Sequence, residues 1–224
     1  MGGNTFWLPI ETSLKVAITA TIIVIFIGMI TARFMANRSF KGKVLVETAF
    51  MLPLVLPPSV VGFGLLFVLG RNSVIGKWIE WMFHGPLVFT WEAAVTAAVV
   101  VSFPLMYQTV KTGFEMMDTN IEMAARLDGA NEIKVFFHIS LPLTFNSVVS
   151  GIILSFARAL GEFGATLMFA GNIPGKTQTM PTAIYVAVDA ENIDMAWKWV
   201  AMMIGISSIL LFLVYRTKKD SEMM

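Results

Sequence analysis

Uncharged runs separated by short charged stretches set the pattern of this chain. Segments 16–32, 48–70, 93–110, 139–157 and 199–215 contain no Asp, Glu, Lys or Arg over 17, 23, 18, 19 and 17 residues. A helix needs about 20 mostly apolar residues to cross about 30 Å of hydrocarbon. The pattern therefore predicts five membrane spans. The shorter ones are completed by Lys15, Arg33 and Lys198, whose aliphatic stems lie along apolar surface while the charge stays wet. Two further runs, 163–175 and 177–188, are 13 and 12 residues long, too short to cross alone. They predict an extension of the fourth span, a sixth short helix or a re-entrant segment. The expected fold class is an all-α polytopic transmembrane helical bundle, with one domain over residues 1–224.

Composition supports that class. Charged residues make up 14% of the chain, against about 25% in soluble domains. The lipid bilayer is thus the first expected partner, and a net charge of +1 gives no argument for nucleic acid. The absence of cysteine excludes disulfides, thiolate catalysis and thiolate metal sites. Only His84 and His138 supply imidazole, far apart in the chain, so no metal centre is expected. The start, MGGNTFWLPIETSLK, lacks the basic region of a cleaved signal peptide, and the first run is expected to remain as a span.

Charge asymmetry predicts direction, because short cytoplasmic loops accumulate Lys and Arg. Arg33, Arg38, Lys41 and Lys43 follow the first run, and Arg216, Lys218 and Lys219 follow the last. With five spans these lie on one side. The N-terminus is then outside, the C-terminus cytoplasmic, and residues 111–138 cytoplasmic. Pro53, Pro57, Pro58, Pro104 and Pro142 fall within the spans. Proline removes a donor and bends a helix, and broken helix at membrane depth is tolerated only against protein or a wet cavity. These prolines fit either ordinary kinking or the wall of a translocation pathway.

The block 111–138 is richer in charge than anything around it. It carries Lys111, Glu115, Asp118, Glu122, Arg126, Asp128, Glu132 and Lys134. Thr119 and Glu122 fit a capping box, and Gly129 fits the left-handed position just past a helix end. The spacing predicts a helix over about 120–128 and a second from Glu132 to His138 that stops before Pro142. A helix so short is marginal alone. It is held either on its own bundle or the membrane surface, or against a cytoplasmic partner.

The same block resembles the "EAA" loop of binding-protein-dependent ABC importer permeases. That pattern is Glu-Ala-Ala, a Gly four residues after the second Ala, nine residues, then Ile-x-Leu-Pro. Ala124, Ala125, Gly129, Ile139, Leu141 and Pro142 match it. Met123 stands at the glutamate position and Glu122 lies one residue earlier, which assigns Glu122 mainly to capping. The resemblance extends over residues 13–216. "LPLVLPPSVVGF" and "FARALGEFGATLMFAGNIPGKTQTMPTAIY" are similar to the molybdate permease subgroup, and sulfate permeases share part of the second stretch.

The resemblance implies a type I ABC importer-like permease in a prokaryotic cell membrane, with a coupling loop at about 113–140. It implies a second copy of the chain, an ABC ATPase dimer and an extracytoplasmic oxyanion-binding protein as partners. The chain is then not an enzyme and binds no cofactor, ATP and Mg being held by the ATPase. Molybdate is the expected substrate, with sulfate, thiosulfate or tungstate as alternatives. An ion-gradient-driven transporter or channel is the alternative from another class, although inverted repeats and several intramembrane carboxylates are not seen in the sequence.

Three other features qualify the picture. "GNIPGKT" is one residue short of a phosphate-binding loop, and Pro174-Gly175 predicts an external turn. Arg158 and Glu162 lie four apart, on one face of a helix, near a break predicted at Gly161–Gly164. Intramembrane charges usually face protein or a cavity and pair with each other, so they are either a structural ion pair or a lining of the anion route. With Pro57, Pro58 and Gly164 they form the candidate pathway set. The Trp residues, near predicted span ends, fit an interfacial belt.

Overall fold

The computed structural model describes residues 2–222, with side-chain surroundings for residues 6–216. Among the described residues there are helices and turns and no strand. Three helices are long and apolar enough to cross a membrane unbroken: α1 (Gly2–Met35), α5 (Trp91–Met116) and α12 (Ile193–Glu222). Two further spans are made from bent pairs. Helices α2 (Lys43–Val55) and α3 (Pro58–Leu69) meet at 118°, and the segment Glu132–Leu143 meets α9 (Phe145–Leu160) at 73°. The five uncharged runs thus correspond to three straight helices and two broken ones.

The first break follows from Pro57-Pro58. A residue before proline is driven out of the helical region. Leu56 and Pro57 accordingly take ψ of 145° and 137°, and Pro58 starts α3 at the position where its missing N–H costs nothing. Pro53 and Pro104 lie inside α2 and α5 without ending them.

The second break corrects an expectation. The helix predicted to stop before Pro142 runs on: α7 (Glu132–Val135) widens into a π turn over Phe136–Ser140, passes through α8 (Leu141–Leu143) and ends at Thr144. Thr144 Oγ1 turns back onto the Ser140 carbonyl at 2.7 Å, so its side chain serves the backbone where the ladder fails.

The core is built on α5. It packs on α1 and α9, α2 leans on it, and α12 packs on α9 and α11 (Met180–Asp189). Small side chains at the seams, Ala17, Ala20, Ala93, Ala94, Ala97 and Ala98, are fully buried and let backbones approach closely. Thr12, Thr21 and Thr31 hydroxyls bond carbonyls one turn back, so these three hydroxyls are satisfied within α1. By contrast Val55 is 80% exposed and Phe212 66%, an outward apolar surface suited to lipid or another membrane helix.

The two short uncharged runs resolve into α10 (Gly164–Phe169) and α11, neither of span length, joined by the turn at 170–179. Gly171 and Gly175 take φ of +73° there, and the Thr177 hydroxyl accepts the Ile173 amide. The "GNIPGKT" stretch is therefore a turn. The amphipathic helix α4 (Val74–Phe83), with Trp78 and Trp81 exposed, joins α3 to α5.

Candidate functional site

Two regions hold the residues singled out from sequence. The first is α6 (Thr119–Leu127) with α7 and the π turn. Its start differs from expectation by one residue. Asp118, not Thr119, is the N-cap, its Oδ1 accepting the Asn120 amide at 2.9 Å. The shorter carboxylate already satisfies the first turn, so Glu122 has no capping role there. At the other end Gly129 has φ of +89°. Its amide bonds the Arg126 carbonyl, and the Ala130 amide bonds the Ala125 carbonyl. This is the paired-bond helix stop that glycine accommodates.

Glu122 is 5% exposed and is the buried residue of α6. One oxygen accepts the Ser140 hydroxyl at 2.6 Å and faces Arg33 at 2.9 Å, and the other faces Arg126 at 3.1 Å. Arg126 also grips Glu132 at 2.7 and 3.1 Å, pinning α6 to α7. Burial works against the charge on Glu122. The Ser140, Arg33 and Arg126 hydrogen bonds and the Arg33 charge outweigh it, and its pKa is lowered from the usual carboxylate value. Glu132 is likewise lowered, by its bond to Arg126, and Arg126 is raised by Glu132 and Glu122.

The far side of α6 carries Met123, Ala124 and Leu127, all exposed, Leu127 by 89%. Ala125 is half-buried on the flank. Ile139 and Leu141 are half-buried and Pro142 exposed. A cavity of about 660 Å³ opens beside the Arg33–Glu122 contact, lined by Arg33, Phe34, Glu122, Arg126, Ile133 and Phe137 among others.

Sequence reasoning placed Lys111 in the loop; the structure puts it inside α5, 9% exposed. Its Nζ meets Glu47 of α2 at 2.6 Å and Glu115 at 3.4 Å, and the Tyr107 hydroxyl reaches the same Glu47 oxygen at 3.3 Å. This cluster ties the first half of the broken span to α5. The four-residue spacings Tyr107–Lys111–Glu115 were the visible signal; the partner in α2 had none.

The second region joins the two proline- and glycine-marked breaks. Arg158 Nη1 lies 2.5 Å from Glu162 Oε2, and Glu162 Oε1 accepts the Ala165 amide at 2.7 Å. Glu162 is 2% exposed, while the Arg158 side chain is 25% exposed. The carboxylate therefore closes the first turn of α10 as well as pairing with Arg158. A Cβ on Gly164 would lie 2.9 Å from Pro58 Cβ, and one on Gly62 would lie 2.8 Å from Ala165 Cα. The start of α3 and the start of α10 are in contact, so Pro58, Arg158, Glu162 and Gly164 form one neighbourhood with Pro57 exposed at its edge.

Comparison with known proteins accords with this geometry. Residues 14–217 match the family described as binding-protein-dependent transport system inner membrane component. The chain belongs to that family. It is 55% identical over 218 residues to the putative molybdenum transport system permease protein YvgM of Bacillus subtilis (strain 168), covering 97% of this chain and 96% of the relative. It is 43% identical to the molybdenum transport system permease protein ModB of Escherichia coli (strain K12), over 83% of this chain and 81% of that one.

Two solved structures share the fold. One is the MetNI methionine ABC transporter in inward-facing conformations, with a TM-score of 0.73 at 13% identity, covering 96% of this chain and 97% of that one. The other is a bacterial ABC transporter that imports alginate, with a TM-score of 0.72 at 14% identity, covering 98% and 80%. The family member described here is thus a multi-pass inner-membrane component with the type I importer fold.

Proposed function

We propose that this chain is the membrane subunit of an ATP-driven importer for molybdate. The observation that carries the reading is the 55% identity to YvgM across nearly the full length of both chains. Family membership speaks against the gradient-driven transporter or channel. Sulfate, thiosulfate and tungstate remain competitors within the class, since they are oxyanions of similar shape and charge.

In this reading the N-terminus is extracytoplasmic and the C-terminus and α6 are cytoplasmic. Two copies enclose the route, an oxyanion-binding protein delivers substrate from outside, and an ATPase dimer holding ATP and Mg docks below. The exposed face of Met123, Ala124 and Leu127 suits such docking, because a nine-residue helix with its apolar side outward is stable only when that side is covered. Hydrolysis belongs to the separate ATPase, and ATP-driven closure moves the two α6 segments together. The junction of Pro58, Arg158, Glu162 and Gly164 serves as part of the pathway wall, where irregular backbone is packed against protein.

The test is reconstitution of the chain with its ATPase and binding protein in proteoliposomes. ATP-dependent molybdate uptake, competed by tungstate more strongly than by sulfate, is expected. Absence of ATP-dependent molybdate uptake, or sulfate uptake that excess molybdate leaves unchanged, overturns it.

A further inference from the structure

The one buried side chain of α6 is a carboxylate. A surface helix ordinarily buries apolar residues and exposes charges; α6 does the reverse. Its apolar residues Ile121, Met123 and Leu127 are exposed. Its packing neighbours are α7 and the π turn, with no comparable seam against a membrane-spanning helix among the described residues. Beyond its backbone links, the side-chain tie between α6 and the bundle is Glu122, with Arg33 and Ser140.

Those contacts reach three places at once. Arg33 belongs to the last turn of α1, and its guanidinium sits 5.5 Å from the centre of the Phe114 ring of α5. Ser140 closes the π turn that leads through α8 into α9. An apolar seam would let α6 slide. One guanidinium nitrogen of Arg33 reaches both carboxylate oxygens, at 2.9 and 3.0 Å, and charge-assisted bonds of this kind are among the stronger ones. Helices α1, α5 and α9 are mutually packed, so this contact carries a displacement of α6 to α1, alongside the backbone links to α5 and α9.

We propose that Glu122 is a positioning residue whose ion pair with Arg33 transmits movement of α6 to the membrane helices. This rests on the reading of α6 as the ATPase dock. The sequence had assigned Glu122 to capping; its partner lies 89 residues away.

The test uses the full complex with ATPase and binding protein in proteoliposomes, comparing Glu122→Gln, Arg33→Gln, the double variant and Arg33→Lys. Linked sites commonly show coupling of about 5- to 150-fold, so each Gln variant is expected to lower molybdate uptake at least about fivefold. The ATPase should still co-purify, and more ATP should be consumed per molybdate imported. The double variant should be no worse than the poorer single one, because both remove the same link. Arg33→Lys keeps the charge and should recover part of the uptake without the two-oxygen grip.

Wild-type uptake and stoichiometry in both single variants overturns the proposal. So does a double variant whose loss is the product of the single losses. If the Gln variants are missing from the membrane, Glu122→Asp decides: it keeps the charge but draws the carboxylate back from Arg33, and unchanged uptake and stoichiometry there also overturn the proposal. A wild-type complex that fails to import molybdate on ATP instead refutes the proposed function itself.

Discussion

Glu162 holds Arg158 with one oxygen and the Ala165 amide with the other. The pair therefore does two things where α9 gives way to α10. It neutralises a carboxylate that is 2% exposed, and it supplies the acceptor that the first turn of α10 needs. Reversal of the charges, Arg158→Glu with Glu162→Arg, rebuilds only the first. An arginine at 162 has no acceptor to offer, so the double variant is expected to remain poorly assembled. Arg158→Ala leaves the buried carboxylate unpaired, a loss of up to about 3 kcal/mol after allowing for the exposed side of Arg158. Thermal stability of the purified protein and uptake by the reconstituted complex measure both. Full recovery in the swap would show that the contact with Ala165 is dispensable.

Gly129→Val tests the stop of α6. Nothing lies within 4 Å of a Cβ at this position, so the cost is backbone strain rather than a clash. A β-branched residue at φ of +89° costs on the order of 1–3 kcal/mol. No other side chain packs on this position, and normal insertion with weakened ATPase co-purification or lost uptake is expected. Gly129→Asn should be milder, because asparagine visits the left-handed region more readily. Equal behaviour of the two variants would refute the strain argument.

The free face of α6 is tested by Ala124→Arg against Ala125→Arg. Ala124 is exposed between Met123 and Leu127, whereas Ala125 is half-buried on the flank. A long charged side chain at 124 should hold docked surfaces apart and reduce ATPase co-purification more than the same change at 125. The opposite order would mean that another face of α6 docks.

Gly62→Val and Gly164→Val probe the meeting of the two breaks. Each added side chain meets atoms of the other helix at 2.8–2.9 Å, backbone in one case and a proline ring in the other. Overpacking of this kind costs about 1–3 kcal/mol. Lower thermal stability is expected in both, with Gly64→Val, which has nothing within 4 Å, as the tolerant control.

Acid should loosen α6 through Glu122. Its pKa is lowered in the folded chain, so it contributes stability above its unfolded value, and that contribution is lost as pH falls through the folded one. Between pH 7 and 5.5 no change from this group is expected. Only below the ordinary carboxylate range does it protonate and release Arg33. Thermal melts from pH 7 to 3.5 should show a loss that Glu122→Gln lacks; identical acid profiles would count against the burial of a charged Glu122.

Local physics reached far into this protein. The hydrocarbon thickness makes any uncharged run near 20 residues a span, whatever surrounds it. The Pro57-Pro58 pair bends the second span by its own stereochemistry, and Gly129 ends α6 because a left-handed residue was required there. Arg158 and Glu162 were legible because four residues bring side chains onto one helical face.

Tertiary structure alone decided the rest. Glu122 looked like a cap because capping is the local use of a glutamate in a first turn, and Asp118 took that use away. Its partner Arg33 stands on a helix that local spacing cannot relate to α6, just as Glu47 and Lys111 meet from different spans. A carboxylate removed from water must find its counter-charges wherever the fold delivers them. Only the packing of α1, α5 and α9 determines where that is.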